Sequence, residues 1–467
     1  MLPFNVNHSP DKTAVIADDG THLLYGDIGD FSESVLKVIR HRCLVFCLCQ
    51  NTPGAICGYF SFLANRIVPV MLDAKINAGL LAGLIKLYKP QYLWLPDHRL
   101  DDFRQDKTVF TGHGYSLVKL GRNHGFPMHN DLAMLLATSG STGSSKFVRI
   151  SYENIGVNAA SIARYLSIDE NERPVTTLPM CYSYGLSVIN SHFLKGAAIL
   201  LTSKTLVDKD FWTFLKTREA SSLAGVPYTY KILSKLQFSR MDLPSLKTIT
   251  QAGGRLNIDL GREISTFCHL SGKKFFMMYG QTEATARMSY LPPQDSLTRP
   301  GSIGIAIPGG EFSLIDDSGK EIKEPNVTGE LVYRGKNVSM GYAACADDLE
   351  KEDENQGTLY TGDLARRDSD NFYYLMGRKR RFIKIFGNRI NLDDMESLLE
   401  NIVPDCACTG GDDHMIIYTT GKTGMAEIQN YISVTTGINP AAFSVRQCAE
   451  IPKNSAGKTI YSELDIS

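Results

Sequence analysis

A run of hydroxyl-bearing residues and glycines stands between two apolar parts of the chain. It follows the apolar residues 133–137, precedes the alternating residues 147–150, and consists of Thr138, Ser139, Gly140, Ser141, Thr142, Gly143, Ser144, Ser145 and Lys146. Backbone N–H groups and hydroxyls in such a loop can donate hydrogen bonds to phosphate oxygens, and the lysine adds positive charge. The sequence therefore predicts a phosphate-binding loop.

This loop does not have the pattern of a Walker A motif. That motif requires Gly-Lys-Ser/Thr at its end and opens straight into a helix. Here Ser145 precedes the lysine, Phe147 follows it, and the alternation of residues 147–150 predicts a strand. Considered alone, the segment would be interpreted as a polar hairpin, so its function depends on the other motifs.

A second group of reactive side chains follows the apolar residues 275–278, where a strand is expected to end. It consists of Tyr279, Gly280, Gln281, Thr282 and Glu283. A tyrosine ring can stack on a purine, a threonine hydroxyl can bind a phosphate, and a carboxylate can bind Mg²⁺. These are the chemical groups of a nucleotide site.

Three charged residues further along the chain extend this pattern. Asp363 ends a Thr-Gly-Asp sequence and has a carboxylate suited to a ribose diol, Arg378 follows a glycine, and Lys458 closes residues 452–458. Each has an ordinary interpretation when taken alone, because most lysines are solvated and Thr-Gly-Asp is frequent in turns. Their order along the chain favours a functional interpretation.

Together these segments resemble the adenylate-forming (AMP-binding) enzymes, which include acyl-CoA synthetases, aryl-CoA ligases, peptide-synthetase adenylation domains and firefly luciferase. The resemblance extends from residues 11–16 to Lys458 and covers five motifs in the family's order. It implies an α/β fold with a large N-terminal domain of layered mixed sheets and helices, residues 1–379. A small, mobile α+β C-terminal lid, residues 380–467, would carry Lys458, with the hinge at Arg380.

The resemblance also implies a role for each motif. The loop at residues 138–146 would hold the β- and γ-phosphates of ATP, Thr282 the α-phosphate and Glu283 the Mg²⁺. Asp363 would bind the ribose with help from Arg378, and Lys458 would bridge the substrate carboxylate and the α-phosphate. The adenine would lie against Tyr279 and Gly280, beside the backbone of Gly253, Gly254 and Arg255.

The implied reaction is ATP-dependent activation of a small carboxylic acid to an acyl-adenylate, with release of pyrophosphate. Its barrier would fall mainly through positioning and charge neutralisation. The acyl group would then pass to the thiol of coenzyme A or to the phosphopantetheine of a separate acyl carrier protein, because the chain ends nine residues after Lys458. A short segment at residues 400–450 slightly favours the carrier protein. Amino-acid adenylation for a carrier, a non-catalytic adenylate-binding protein and a luciferase-like oxygenase stay open as alternatives.

The acyl pocket is expected around residues 178–185. Its candidate residues are Tyr182, Tyr184, Gly185 and Met278. Relatives that activate amino acids carry an aspartate near Gly185, and residues 178–192 contain none. A buried ammonium without a partner is costly, so we expect an apolar or aromatic acid rather than an α-amino acid.

Elements able to position these residues can be read from the apolar pattern. Strand-length apolar runs alternate with amphipathic stretches at residues 44–48, 67–71, 91–95, 197–202 and 222–226. This pattern predicts buried, largely parallel sheet covered by helices. A helix is predicted after Ser151, which is a good N-cap, with one apolar face formed by Ile155, Ala159, Ile162, Ala163 and Leu166.

Composition excludes several classes of protein. The 467 residues carry 49 basic and 50 acidic side chains, a net charge of −1, so no global charge favours nucleic acid or a membrane surface. No apolar run reaches the roughly 18 residues that span a bilayer, and the N-terminus lacks the pattern of a secretory signal. The ten cysteines lack zinc-site spacing and are expected to be reduced thiols in a cytoplasmic protein. The acidic residues 347–354 are expected to form a solvated loop.

Overall fold

The computed structural model describes residues 8–121, 125–137, 146–379, 381–385, 388–400, 402–411, 413–421, 423–436, 438–454 and 457–466. Most of the predicted phosphate loop, Thr138 to Ser145, and the predicted hinge residue Arg380 lie outside this part of the chain. Two compact units are present. The first comprises Met1–Glu311 and Tyr333–Leu359, and the second Phe312–Val332 and Tyr360–Ser467. The boundary at 379/380 falls inside the second unit and stays a prediction.

The helices are numbered in chain order. They are α1 Tyr25–Val38, α2 Pro53–Ala64, α3 Ala78–Tyr88, α4 Tyr152–Leu166, α5 Ser183–Leu194, α6 Lys209–Thr217, α7 Pro227–Lys235, α8 Ile258–Leu270, α9 Leu392–Leu399 and α10 Met425–Thr436. Helices α1–α8 belong to the first unit and α9 and α10 to the second.

The strands are also numbered in chain order. The first thirteen are β1 Thr13–Ala17, β2 His22–Leu24, β3 Leu44–Cys49, β4 Val68–Asp73, β5 Tyr92–Pro96, β6 Lys107–Gly112, β7 Tyr115–Lys119, β8 Leu132–Ala137, β9 Phe147–Ser151, β10 Pro174–Val175, β11 Ile199–Leu201, β12 Ser222–Gly225 and β13 Thr248–Gln251. The others are β14 Lys274–Tyr279, β15 Ser289–Leu291, β16 Ser302–Ala306, β17 Gly310–Ile315, β18 Gly329–Gly335, β19 Tyr342–Ala343, β20 Thr358–Arg367, β21 Tyr373–Arg378, β22 Phe382–Ile385, β23 Asn388–Asn391, β24 Cys406–Gly411, β25 His414–Thr419 and β26 Phe443–Gln447.

Two layered sheets with parallel centres build the first unit. In one, the strand order is β16-β15-β14-β13-β12-β10-β11-β1-β2, and the pairs from β14 to β1 are parallel. In the other, the order is β19-β9-β8-β4-β3-β5-β7-β6, with β8, β4, β3 and β5 parallel. The residues of β3 and β5 are buried throughout, as expected for strands covered on both faces. The prediction of buried, largely parallel sheet is confirmed.

Helix α4 begins where the sequence predicts it. The Ser151 hydroxyl accepts a hydrogen bond from the Asn154 N–H at 3.1 Å, and the Asn154 side chain accepts one from the Ser151 N–H at 2.9 Å. This reciprocal pair satisfies two N–H groups at the helix start. The five residues predicted to form the apolar face are all buried.

The second unit contains smaller sheets. Strands β17-β18-β20-β21 are neighbours in that order, β22 and β23 form a hairpin, and β24-β25-β26 form a three-stranded sheet. A separate core links the last two sheets with α9 and α10, and includes Ile383, Leu399, Ile417, Ile428 and Phe443. The chain therefore has the predicted mixed α/β architecture with a small C-terminal domain.

The acidic segment at residues 347–354 is largely exposed, as expected from its composition, but it also contacts the rest of the first unit. Leu349 is fully buried, and the buried guanidinium of Arg149 donates to the Met340 and Glu352 carbonyl oxygens and to the Glu354 carboxylate. A buried arginine requires such acceptors, so the segment packs on the second sheet of the first unit. In the described residues, no helix has both the length and the apolar character needed to cross a membrane.

Candidate functional site

Three adjacent parallel strands of the first unit end at the same edge of their sheet. Gly225 of β12 lies beside Gln251 of β13, and Gln251 lies beside Met277 of β14. The segments that follow these strands therefore leave the sheet together, including the predicted nucleotide-binding residues 253–255 and 279–283. Ligands of parallel α/β sheets bind at the carboxyl ends of the strands, so this edge is the candidate site.

The turn after β13 contacts the start of α5. Gly253 has φ +85°, and a Cβ atom at this position would lie 2.6 Å from the Tyr182 Oη and 3.0 Å from the Val226 Cγ1. The Gln251 side chain donates to the Gly254 carbonyl oxygen at 2.9 Å and fixes the turn. A predicted adenine-side residue, Gly253, and a predicted acyl-pocket residue, Tyr182, are thus brought into contact. Gly254 and Arg255 are exposed.

The turn after β14 is tight and requires glycine at its first position. A Cβ atom on Gly280 would lie 1.6 Å from the Ala286 carbonyl oxygen. Both Thr285 and Ala286 have positive φ, and the Met288 N–H donates to the Tyr279 carbonyl oxygen at 2.9 Å. The chain therefore folds back on itself, which presents Thr282 and Glu283 at the end of the strand.

Thr282 is buried beside the first residue of α5. Its Oγ1 lies 3.1 Å from the Ser183 Oγ, and either hydroxyl can be the donor of that hydrogen bond. Hydroxyls at a helix start can donate to an anionic oxygen, which the helix dipole also favours. The predicted phosphate contact of Thr282 therefore has a second hydroxyl next to it, from Ser183.

Glu283 is half-buried and held from two sides. The Tyr342 hydroxyl donates to Glu283 Oε1 at 2.7 Å, and the Ser339 N–H donates to the Glu283 carbonyl oxygen at 2.8 Å. No group of three or more His, Cys, Asp or Glu able to hold a metal occurs in the part of the chain that the structure describes. A single carboxylate fits Mg²⁺ because this ion is commonly bound by one or two carboxylates together with substrate phosphates and water.

The predicted acyl-pocket residues lie in the core next to this edge. The Tyr184 Oη lies 2.8 Å from the Thr250 Oγ1, and burial raises the pKa of Tyr184 to about 12. Gly185 is required by close packing, since a Cβ atom would lie 2.3 Å from the Pro179 carbonyl oxygen. Met278 accepts a hydrogen bond at its sulfur from the Tyr165 hydroxyl, 3.0 Å away.

A buried arginine that the motif analysis missed contacts these pocket residues. Arg287 Nε donates to the Ser187 Oγ at 3.0 Å, and Nη1 lies 3.1 Å from the Tyr165 Oη. Its guanidinium carbon lies 5.1 Å from the centre of the Tyr184 ring. Arg287 stands only four residues after Glu283, but its direction into the core follows from the turn after Gly280, which the sequence pattern does not reveal.

In the second unit, Asp363 and Arg378 face each other across a hairpin. They are paired in register on β20 and β21, and the Arg378 Nε lies 3.5 Å from the Asp363 Oδ1. The Asp363 side chain is 9% exposed and that of Arg378 is 60% exposed. The Asp363 N–H donates to the Thr361 hydroxyl at 3.1 Å. The structure therefore brings together the two residues predicted to hold the ribose.

Lys458 stands in a short turn that closes on Asn454. The Lys458 N–H donates to Asn454 Oδ1 at 3.0 Å, and the Asn454 N–H donates to the Lys458 carbonyl oxygen at 2.9 Å. The Ile460 N–H donates to the Pro452 carbonyl oxygen at 2.8 Å. The lysine is half-buried. In the first unit, Lys146, the last residue of the predicted phosphate loop, is exposed at the start of β9.

Comparison with known proteins identifies the family. The family described as "AMP-binding enzyme" matches residues 3–343, nearly three quarters of the chain. The chain belongs to the AMP-binding enzyme family. The match includes the edge formed after β12, β13 and β14, but not Asp363, Arg378 or Lys458.

Relatives of this AMP-binding enzyme carry out different reactions. It is 26% identical over 365 residues to luciferin 4-monooxygenase of Photuris pensylvanica, covering 73% of this chain and 65% of that protein. It is 27% identical over 352 residues to 4-coumarate–CoA ligase-like 2 of Arabidopsis thaliana, covering 72% of this chain and 61% of that protein. The chain thus spans less than two thirds of the length of these curated relatives.

A solved structure extends the similarity in fold to nearly all of this chain of the AMP-binding enzyme. O-succinylbenzoate coenzyme A synthetase from Bacillus subtilis, in complex with ATP and magnesium ion, matches with a TM-score of 0.80 at 22% identity. The match covers 98% of this chain and 97% of that one. At this identity the likeness establishes the fold, including the small C-terminal domain.

Proposed function

We propose that this AMP-binding enzyme activates a carboxylic acid with MgATP and transfers the acyl group to a pantetheine thiol. The observation that carries the proposal is the turn after β14, which holds Thr282 beside the Ser183 hydroxyl and orients Glu283 through Tyr342. Such a turn offers hydroxyl donors for a phosphate and a fixed carboxylate for Mg²⁺. The CoA ligase among the relatives supports the same reaction class.

In the first step, a carboxylate oxygen of the acid attacks the α-phosphorus of ATP. The bond between the α-phosphorus and the bridging oxygen breaks, and pyrophosphate leaves with that oxygen. Two anions must approach each other, so the protein lowers the barrier by positioning them and neutralising charge. We assign this to Lys458, which would bridge the carboxylate and the α-phosphate, and to Thr282, which would donate to the α-phosphate.

Each of the other predicted nucleotide-binding residues has its own role in this proposal. Glu283 would bind the Mg²⁺ that neutralises the phosphates, and the loop at residues 138–143 with Lys146 would hold the β- and γ-phosphates. Tyr279, Gly280 and residues 253–255 would form the adenine side. Asp363 and Arg378 would bind the ribose hydroxyls, for which a largely buried carboxylate is a good acceptor.

In the second step, the thiol sulfur attacks the acyl carbon of the adenylate, and AMP leaves. The acceptor is coenzyme A or the phosphopantetheine of a separate carrier protein. The C-terminal residues 380–467 would act as a lid that turns about Arg380 between the two steps, as hinged domains do in other enzymes. Tyr182 would line the entry of the thiol.

The test is pyrophosphate release from MgATP in the presence of fatty, aryl, hydroxy, dicarboxylic and amino acids. Added hydroxylamine converts an acyl-adenylate to a hydroxamate, which identifies the intermediate. We expect release that depends on one class of acid and on Mg²⁺, and a hydroxamate in equal amount. Binding of ATP without release for any acid would contradict the proposal and favour a non-catalytic adenylate-binding protein.

The likeness to luciferin 4-monooxygenase supports a second candidate, an oxygenase that uses the adenylate. The same reactions distinguish it, because an oxygenase consumes O₂ after the adenylate forms. Oxygen uptake in step with pyrophosphate release, in the absence of thiol, would favour this candidate.

A further inference from the structure

Among the residues that the structure describes, the buried arginine beside the acyl-pocket residues has no anionic partner. Arg287 is 2% exposed, and its hydrogen-bond partners are the neutral side chains of Ser187, Tyr165 and Met278. In the described part of the chain no carboxylate forms an ion pair with it. Buried charges in proteins are normally paired, because an isolated charge loses its hydration without compensation. The positive charge of this guanidinium would therefore be stabilised by a bound anion.

Arg287 also lines a cavity between the helices α4 and α5 and the strands β10, β12 and β13. The cavity is small, with a volume of about 10 Å³, and Thr250 and His192 line it too. The Tyr184 hydroxyl reaches Thr250, and the Tyr184 ring lies over the guanidinium. The arginine therefore contacts two residues of the predicted acyl pocket, Tyr184 and Met278, directly.

The other groups around the cavity do not neutralise the arginine. Burial is the main reason that the pKa of His192 is lowered to about 4, so this imidazole is neutral at pH 7. Glu172, which also lines the cavity, accepts a hydrogen bond from the Ser221 hydroxyl and forms no ion pair with Arg287. Within the described ranges, the guanidinium of Arg287 has only uncharged hydrogen-bond partners, and such a cation suits a carboxylate.

We propose that Arg287 binds a second carboxylate at the far end of the acid substrate, so that the enzyme activates a dicarboxylic acid. This inference rests on the proposed function and names its substrate class. One carboxylate would react at the edge formed by Thr282 and Glu283, and the other would bind the guanidinium next to Tyr184 and Met278.

The experiment compares pairs of acids that differ only in the distal group. Butanoate is paired with succinate, pentanoate with glutarate, and hexanoate with adipate, and acid-dependent pyrophosphate release is measured for each. For at least one pair we expect the dicarboxylic acid to have a kcat/KM about 10-fold or more above its monocarboxylic partner, since charge-assisted hydrogen bonds are strong. Thermal shifts with the acids alone give a second readout that does not depend on turnover.

The decisive variant is Arg287→Gln, with Arg287→Lys as the charge-conserving comparison. Loss of a buried charged partner should lower kcat/KM for the dicarboxylic acid at least about 10-fold more than for its monocarboxylic partner. Arg287→Lys should recover part of the preference. Arg164→Gln, an exposed arginine on α4, is the matched control and should leave the preference as in the wild type.

The outcomes separate the two proposals. Activity on monocarboxylic acids with no preference for their dicarboxylic partners would overturn the role of Arg287 and leave the proposed function intact. An equal loss on both acids in folded Arg287→Gln, with ATP binding retained, would also overturn it. Release with no acid at all would overturn the proposed function itself. If Arg287→Gln does not fold, the wild-type preference and the Arg287→Lys profile still decide.

Discussion

The predicted site residues of the two units are held in different ways. In the first unit, Thr282 is bonded to a residue 99 positions away, Glu283 to one 59 positions away and Arg287 to one 100 positions away. In the second unit, the Asp363 and Lys458 N–H groups are bonded to side chains two and four positions away. The side chains of the first set are held by distant residues, whereas the main chain of Asp363 and Lys458 is held within local turns.

This difference has a consequence for mutations. Side chains in the first unit that hold the site also fill the core, so changing them should alter stability and activity together. Side chains in the second unit stand on turns and a hairpin, where changes should alter activity and leave folding nearly unaffected. Exposed positions outside such networks usually change stability little.

One network in the second unit, formed by Tyr461, Glu396 and Arg381, joins residues that are far apart in the sequence. Tyr461, three residues after Lys458, donates to Glu396 Oε2 at 3.0 Å, and the Arg381 guanidinium lies 3.9 Å from the centre of its ring. Arg381 also forms an ion pair with Glu396 at 2.7 Å. The chain just after the turn of Lys458 is therefore bound to Glu396 of α9 through Tyr461. This contact fixes the position of the turn, although the hydrogen bonds within the turn are local.

The largest effect is expected for Lys458→Ala. Loss of the charge that bridges the carboxylate and the α-phosphate should reduce acyl-adenylate formation about 10²–10³-fold, as for loss of other groups that stabilise a transition-state charge. The free energy of unfolding should change by no more than about 0.5 kcal/mol, because the side chain stands on a local turn. Hydroxamate formation and urea unfolding measure the two quantities.

Lys453→Ala is the matched control for Lys458→Ala. Lys453 is exposed in the same segment and pairs with Asp405, so its loss should leave adenylation nearly unchanged. Normal adenylation by Lys458→Ala would refute the assigned role. A large loss of stability in that variant would show that the second unit does not differ from the first in this respect.

The next effect, on stability, is expected for Asn337→Ala in the first unit. Asn337 is 1% exposed, donates to the Ala284 and Arg287 carbonyl oxygens, and accepts from the Tyr333 hydroxyl at 2.8 Å. Its removal leaves buried polar groups without partners, which should cost about 3 kcal/mol of unfolding free energy. Urea unfolding followed by circular dichroism measures this.

Asn454→Ala in the second unit is the paired comparison for Asn337→Ala. Asn454 holds the turn of Lys458, so the variant should lose about 1 kcal/mol or less of unfolding free energy while adenylation falls roughly 10-fold. If the two variants lost the same stability, the contrast between long-range and local support would be wrong.

The contrast also explains what the sequence could predict. Buried strands such as β3 and the helix start at Ser151 follow from local pattern, and both are confirmed. The site motifs at Tyr279–Glu283 and Lys458 could be located because their residue types and order resemble a family. Tyr342 and Arg287 could not be found this way, because their contacts depend on how distant segments meet in the fold.

Arg149 and the acidic residues 347–354 are a second example of a contact that the sequence pattern does not reveal. Composition predicts a solvated loop, and most of its side chains are exposed, yet Leu349 is buried and Arg149 Nη2 donates to the Glu352 carbonyl oxygen, 203 residues away. A charge pattern describes the sequence neighbours of a residue, whereas burial depends on what packs against it. The contact of Arg149 with this distant segment therefore does not follow from composition.

The smallest effect is expected for Tyr342→Phe, which tests whether long-range support matters at a single hydrogen bond. The Tyr342 side chain is exposed, so stability should barely change, but Glu283 loses the donor that fixes its Oε1. A freely rotating carboxylate pays more entropy on binding Mg²⁺, and loss of one hydrogen bond of about 1 kcal/mol corresponds to roughly a 5-fold higher Mg²⁺ concentration at half-maximal rate. Pyrophosphate release over a Mg²⁺ titration measures this, with Tyr360→Phe, an exposed tyrosine of the second unit, as the control. An unchanged Mg²⁺ dependence would mean that the backbone of the turn after β14 positions Glu283 by itself. The long-range hydrogen bond from Tyr342 would then make no contribution to Mg²⁺ binding.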